Sequence, residues 1–413
     1  MAPHGNARTT GGPARRGRPS RGGLLALVLG YAVYGAFWGA WAVVLVEYLD
    51  VRDLTLAAVG GLFSVTSVTA IATMTFGGNL AVRLPRAPAL AAAFVLAGGA
   101  SLVVGVTTGV WLVPAFALLG VGIGMVDVLV NLAGAEIETA TDRPVLQLVH
   151  AGYGAGGAAG ALLAALATTA GWRPATVLAT VGAGHMLAAA IMAALVPDVP
   201  ASTEAARPSG LALRVLRKRP DLQIAAVVVL CAFFVEGSMD AWSVLFVRTT
   251  LRGPVLGAAV AFASFALAIT AGRLFAARVL FRLGRHRTLL VSGGGSLVSG
   301  AVVVGAPTAT VAGVAFLVLG FFLSVAAPAA FGMVGGDADA GHAVAAVTTI
   351  GYGGFVVGPP LMGWLGDSFG LRIALLALVV TPACMLAATV AGGRRARQAA
   401  DASASTATDV PAR

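Results

Sequence analysis

Carboxyl side chains are scarce inside the apolar runs of this chain, and those that occur there sit at helical spacing. Asp127 is followed four residues on by Asn131, and Glu236 four residues on by Asp240. Each pair therefore projects from one face of a helix. An ionisable group in such surroundings is costly unless it faces a cavity or a partner, so it marks a candidate path for ions or solutes. A carboxyl kept from water also holds a proton more readily than one in solution. Proton coupling or solute binding is the chemistry these four residues suggest. Pairing across an interface, or capping a broken helix, is the plainer use of Glu236 and Asp240.

Arg273 is the one basic residue placed well inside an apolar run. It offers a counter-charge to Glu236 or Asp240, or an attraction for an anionic solute. The run ends a few residues later, so the expectation is that Arg273 snorkels to the headgroups instead. Tyr34, Trp38 and Trp41 recur at helical spacing, and Trp242 follows Asp240 closely. Such aromatics stack on a solute ring, pack a core, or form a belt at the membrane surface. Asn131, Glu136, Glu138, Arg143 and His150 cluster where two apolar runs meet. They suit gate-locking or folding as well as solute contact, with Glu138 and Arg143 expected to pair with neighbours there. A hydrogen bond from His150 that fixes the start of the following helix is the simplest role for that ring. His185, in mid-run, is expected to be a packed core histidine.

The elements that must position these groups follow from composition. The chain has 413 residues, 58% hydrophobic and 11% charged, with mean hydropathy +0.90. A soluble domain carries roughly 25% charged residues, so this surface is built for lipid. One span needs about 20 apolar residues, and twelve take roughly 240. Apolar runs fall near 24–47, 56–79, 89–108, 112–135, 146–169 and 175–196, then 222–246, 255–279, 288–306, 309–333, 344–366 and 372–392. The spacing predicts an all-α integral membrane protein of twelve helices in two bundles, residues 23–196 and 221–392. Residues 197–220 form a linker, and 1–22 and 393–413 are read as disordered tails.

The net charge is +10, and Lys218 is the single lysine among 27 basic residues. With both termini cytoplasmic, 21 basic residues fall inside, five outside, and Arg273 within a span. The excess is thus read as topology, and nucleic acid is excluded as a partner. The halves also repeat with an offset of 199 residues. Arg83 and Arg86 fall on Arg282 and Arg285, Gly152, Tyr153 and Gly154 on Gly351, Tyr352 and Gly353, and Gly171 and Arg173 on Gly370 and Arg372. Two parallel six-helix halves place a solute site between parts that rock against each other.

These residues resemble the major facilitator superfamily. Its loop between the second and third helices has the pattern Gly-x-x-x-Asp-Arg-x-Gly-Arg. Here the loop runs from Gly78 to Arg86, and its second copy keeps Arg282 and Arg285 around Leu283 and Gly284. Val82 and Phe281 stand where the acid is usual, and Pro85 replaces a glycine, which puts the loop's usual charge relay in doubt. The stretches Asn131 to Glu138, Arg143 with Pro144, His150 with Ala151, Glu236 to Ser243 and Gly351 to Pro360 further resemble bacterial facilitators near the fucose-permease-like group. The resemblance implies helices 1, 4, 7 and 10 around a central cavity, with helix 6 at the periphery.

Two short patterns are declined. Gly152 to Gly157 fits a dinucleotide fingerprint and Gly366 to Gly370 a nucleophile elbow, but neither follows a strand. The sequence carries no phosphate-binding loop of an ATPase, so an ion or solute gradient is the expected drive and no cofactor or metal is expected. The leading expectation is a monomeric, proton-coupled secondary transporter of a small organic solute in the inner (plasma) membrane. Export is placed ahead of uptake of a sugar-like or other small solute. A transport-inactive sensor or scaffold is the rival from another class. An enzyme is not expected, because the acids and histidines are scattered rather than gathered at one depth.

Overall fold

The computed structural model describes residues 21–81, 83–143, 145–197, 219–334 and 340–408. The expected N-terminal tail and nearly all of the linker lie outside the described residues. Twelve helices are long and apolar enough to cross a membrane. They are α1 (Gly22–Arg52), α2 (Leu56–Gly77), α3 (Arg86–Val106), α4 (Gly109–Thr141), α5 (Leu146–Thr169) and α6 (Pro174–Leu195) in the first half. The second half holds α7 (Pro220–Thr250), α8 (Val255–Leu283), α9 (Arg285–Gly305), α10 (Ala309–Phe331), α11 (Ala343–Phe369) and α12 (Leu371–Arg395). Among the described residues there is no strand. The last helix departs from the sequence reading: it continues to Thr408 rather than giving way to a disordered tail at 393. Its extension carries Arg394, Arg395 and Arg397 beyond the apolar stretch, with alanines that favour helix.

Small residues set the packing within each half. Gly35 and Gly39 of α1 lie against the α5 backbone at Tyr153 and Gly157, and Gly156 and Gly160 of α5 against the α1 backbone at Ala32 and Ala36. In the second half Gly354 of α11 takes the same place against Leu230 and Phe234 of α7. Without a hydrophobic drive between helices in lipid, such backbone approach supplies the van der Waals contact that joins them. These glycine pairs thus lock helices inside a half, and do not form a sliding surface between halves. Gly39→Leu would place a side chain inside the α5 backbone, whereas Gly99 of α3 has open space around it. Gly39→Leu is therefore expected to abolish recovery of folded monodisperse protein in fluorescence-detected size exclusion, and Gly99→Ala to leave it unchanged.

The internal repeat is physical as well as textual. Gly171 and Gly370, 199 apart, turn their loops at φ +84° and +86°, a region open to glycine at little cost. The carbonyls that end α3 and α9 are also capped alike. Arg52 donates to Gly105 and Thr107, and Arg372 to Val304 and Ala306, which are the same two positions one repeat later. Each guanidinium satisfies backbone oxygens that a helix end leaves unpaired. The arginines themselves are not repeat equivalents, since Arg372 corresponds to Arg173.

Helix α2 packs on α11 and α5 on α8, and these two pairs make the seam between halves. Along α2 the seam holds from the middle of the bundle to the end remote from the chain termini. Pro359 and Pro360 lack the N–H groups that would bond the carbonyls of Phe355 and Val356. Ser67 and Ser64 of α2 donate to those two freed carbonyls, at 3.3 and 2.8 Å. Gly60, one turn before Ser64, gives room for the backbone of Pro359 and Pro360. At the end of the seam the Asp367 carboxylate accepts from the N–H groups of Leu56 and Ala57, at 3.0 and 2.8 Å. It caps the first turn of α2 from the opposite half. Arg248 and Glu47 add an ion pair across the same end at 2.8 Å.

Candidate functional site

Between the halves, on the side that opens toward the termini, four helices of the first half and second half bring polar groups together. In α4, Asp127 and Asn131 lie one turn apart, and the Asn131 amide donates to the Asp127 backbone carbonyl at 2.8 Å. The Tyr31 hydroxyl of α1 donates to the Asp127 carboxylate. Asn131 Oδ1 meets His150 Nε2 of α5 at 3.1 Å, and the His150 ring packs edge-on to Tyr31. Asp127, Asn131, Tyr31 and His150 are thus one connected group, with His150 exposed at its open end. The His150 bond fixes the start of α5 to α4, as the sequence suggested, but its partner is Asn131 and neither Glu136 nor Glu138.

In the second half, Arg273 of α8 donates to Glu236 of α7 at 2.6 Å. The snorkelling expected of Arg273 is therefore incorrect. A buried carboxylate on the facing helix outweighs the few residues that separate the guanidinium from the headgroups. Asp240, one turn beyond Glu236, is half-buried and makes no hydrogen bond or ion pair among the described residues.

Aromatic rings stand between these acids. Tyr31 stacks on Tyr34, and both touch Tyr153. The Tyr34 and Tyr153 rings are 5.5 Å apart at 43°, and Phe233 and Tyr352, each 199 residues later, are 5.6 Å apart at 44°. The two half-exposed tyrosines, Tyr153 and Tyr352, each feel acids from the other half: Asp240 and Glu236 act on Tyr153, and Asp127 on Tyr352. The structure brings this arrangement together from residues the sequence reading treated separately. It overlooked Tyr31, Tyr153, Tyr352 and Phe233 as solute-facing candidates. The repeated Gly-Tyr-Gly pattern was the signal that could have found two of them.

Other expected residues stand elsewhere. Trp38 is half-buried beside Phe37. Trp41 and Trp242 are buried, both packing edge-on to Phe63, so they form part of the closed end and do not face the opening. Their expected solute contact is corrected accordingly. Arg86 forms a two-pronged pair with Glu136 at 2.6 and 3.1 Å and donates to Ala81, clamping the loop after α2 to α4. Glu138 accepts from the N–H groups of Val145 and Leu146 at the start of α5. The pairing expected of Glu138 with Arg143 does not form: backbone N–H groups take the carboxylate, and Arg143 is exposed. Arg83, Arg282 and Arg285 are exposed as well. His185 is buried, bonded to the Val181 carbonyl at 3.0 Å, and packed among Phe37 and Phe94.

The model of the Major Facilitator Superfamily matches residues 23–352. The chain belongs to the Major Facilitator Superfamily. A curated relative, an uncharacterized MFS-type transporter of Yersinia pestis, is 31% identical over 379 residues, 89% of this chain and 94% of the relative. Among solved structures, the chain is similar to a bacterial homolog of the human lysosomal transporter Spinster, inward-facing and occupied. The TM-score is 0.73 at 15% identity, covering 90% of this chain and 96% of the other. The nucleoside transporter NupG gives a TM-score of 0.71 at 15% identity, covering 89% and 97%. These structures share the fold. This superfamily member is a multi-pass membrane transporter, and its tyrosine-lined opening lies where the two halves meet.

Proposed function

We propose that this transporter carries a small organic solute by alternating access, coupled to protons through Asp127, Glu236 and Asp240. The observation that carries the reading is that carboxyls of both halves converge on one aromatic-lined opening at the seam. A group that must bind solute and then release it on the other side has to sit where the moving halves meet. An unpaired acid such as Asp240 supplies a place for a proton in one state and for solute in the other.

The excess of basic residues on the termini side supports a cytoplasmic location for both ends in the inner (plasma) membrane. The described conformation is then inward-facing, with its site presented to internal solutes. That presentation supports export in exchange for protons, by a protein working as a monomer.

Proteoliposomes holding a pH-sensitive dye test the reading against a panel of small organic solutes. With a transported solute, an imposed pH gradient is expected to drive flux, and the Glu236→Gln/Asp240→Asn double variant to retain less than a tenth of it. Undiminished proton-dependent transport by that variant refutes the assignment. Reversal of the gradient reads the direction, and uptake driven by inward protons would replace export.

A further inference from the structure

The charge balance of the opening says what kind of solute it takes, given the carrier reading above. Five ionisable groups other than tyrosines face it among the described residues: Asp127 on α4, His150 on α5, Glu236 and Asp240 on α7, and Arg273 on α8. The only full cation among them, Arg273, is already committed to Glu236 at 2.6 Å. It has no free edge to offer an anionic solute without stranding a carboxylate that is 13% exposed. Two carboxyls then remain without a cationic partner. Asp127 takes only the Tyr31 hydroxyl, and Asp240 takes nothing.

Their placement is specific. Asp127 belongs to the first half and acts on Tyr352 of the second, while Asp240 belongs to the second half and acts on Tyr153 of the first. The two tyrosines are repeat equivalents and both are half-exposed, so each presents ring surface to the opening. The negative face of an aromatic ring attracts a cation within about 6 Å of its centroid. Carboxylates beyond each ring add Coulomb attraction from both sides. A neutral solute would use only the rings, and an anion would meet two unpaired carboxylates.

We propose that the solute is an organic cation, an ammonium or similar group seated between Tyr153 and Tyr352 with Asp127 and Asp240 as its counter-charges. One carboxylate in each half lets the cation be handed from one half to the other as they rock. The carboxylate it leaves is free to take a proton.

Binding to the purified full chain is measured by isothermal titration with three probes of one ring size: benzyltrimethylammonium, benzyl alcohol and benzenesulfonate. The cation is expected to bind at least tenfold more tightly than the other two. Asp127→Asn and Asp240→Asn should each weaken it about tenfold. Tyr153→Phe should leave it within twofold, because the ring face is kept, and Tyr153→Leu should weaken it at least fivefold. Size exclusion and thermal melting verify that each variant is folded. The proposal is overturned if the cation shows no preference over the alcohol or the sulfonate. It is also overturned if a folded Asp127→Asn/Asp240→Asn double variant binds it as the parent does. Proton-driven flux of a neutral or anionic solute would leave the carrier reading intact and remove the cation alone.

Discussion

Arg273→Ala is expected to reduce transport more than a hundredfold and to destabilise the protein by about 3 kcal/mol, the low end for breaking a buried pair. The estimate sits low because Arg273 keeps 34% of its side chain exposed, whereas its partner Glu236 keeps only 13%. The cost comes from a carboxylate left uncompensated between helices, more than from the attraction lost. Glu236→Gln/Arg273→Gln removes both charges and is expected to recover most of the lost stability in a thermal melt. The two changes are in contact, so their effects should not add. The single variant Glu236→Gln separates structure from recognition. It frees Arg273 as a cation in the opening, so benzyltrimethylammonium should bind it more weakly than it binds the doubly neutral variant. An Arg273→Ala protein that melts and transports within twofold of the parent would show that the pair does neither job.

That pair also shows where sequence reasoning stops. Arg273 and Glu236 are 37 residues apart on separate helices, and neither spacing nor composition tells which face of α8 meets α7. A snorkelling arginine and a paired one look the same in one dimension. Trp41 and Tyr34 pose a similar problem. Both lie on one stripe of α1, yet two turns along the axis carry the stripe from the opening into the closed end, where Trp41 meets Phe63 and Phe116. The twelve spans were legible because lipid demands long apolar runs with internally bonded backbone. The two halves were legible because Arg, Gly and Tyr recur at one offset in a background of Ala, Val and Leu. The linked group of Tyr31, Asp127, Asn131 and His150 was only half legible. Helical spacing gave Asp127 and Asn131, but the α1 and α5 partners depend on glycines that bring those backbones together.

The Arg86–Glu136 clamp explains how the loop after α2 holds its place without its usual acid. Arg86 is buried and turns to α4 of its own half, so the loop is anchored inside the half and does not tie the halves together. The acid that ties α2 to α11 is instead Asp367, at the opposite end of the same seam. Missing acids in both loop copies and an added cap at the far end work in one direction: they favour the state closed at that far end and open toward the termini.

Removing the far-end ties should therefore reverse the preferred state. The two serine bonds to the carbonyls freed by Pro359 and Pro360 contribute about 1 kcal/mol each. The charge-assisted cap by Asp367 contributes about 1.5–3 kcal/mol. The Arg248–Glu47 pair, 19% and 27% exposed, contributes no more than about 1 kcal/mol. Only differential stability between the two states moves their ratio, and every one of these bonds spans the seam, so each is lost when the far end opens. A loss of about 4 kcal/mol changes the ratio roughly a thousandfold. Spin labels at Val51→Cys and Leu256→Cys, on exposed far-end positions of opposite halves, report the change once Cys231 and Cys384 are replaced by alanine. The parent is expected to show one short distance. The combination Ser64→Ala, Ser67→Ala, Asp367→Asn and Arg248→Ala is expected to make a longer distance the major one. Restoring Asp367 alone should bring back much of the short population, because it carries the largest share. A distance distribution unchanged by the four substitutions would mean that apolar packing around Phe63 and Trp242 closes the far end without these bonds.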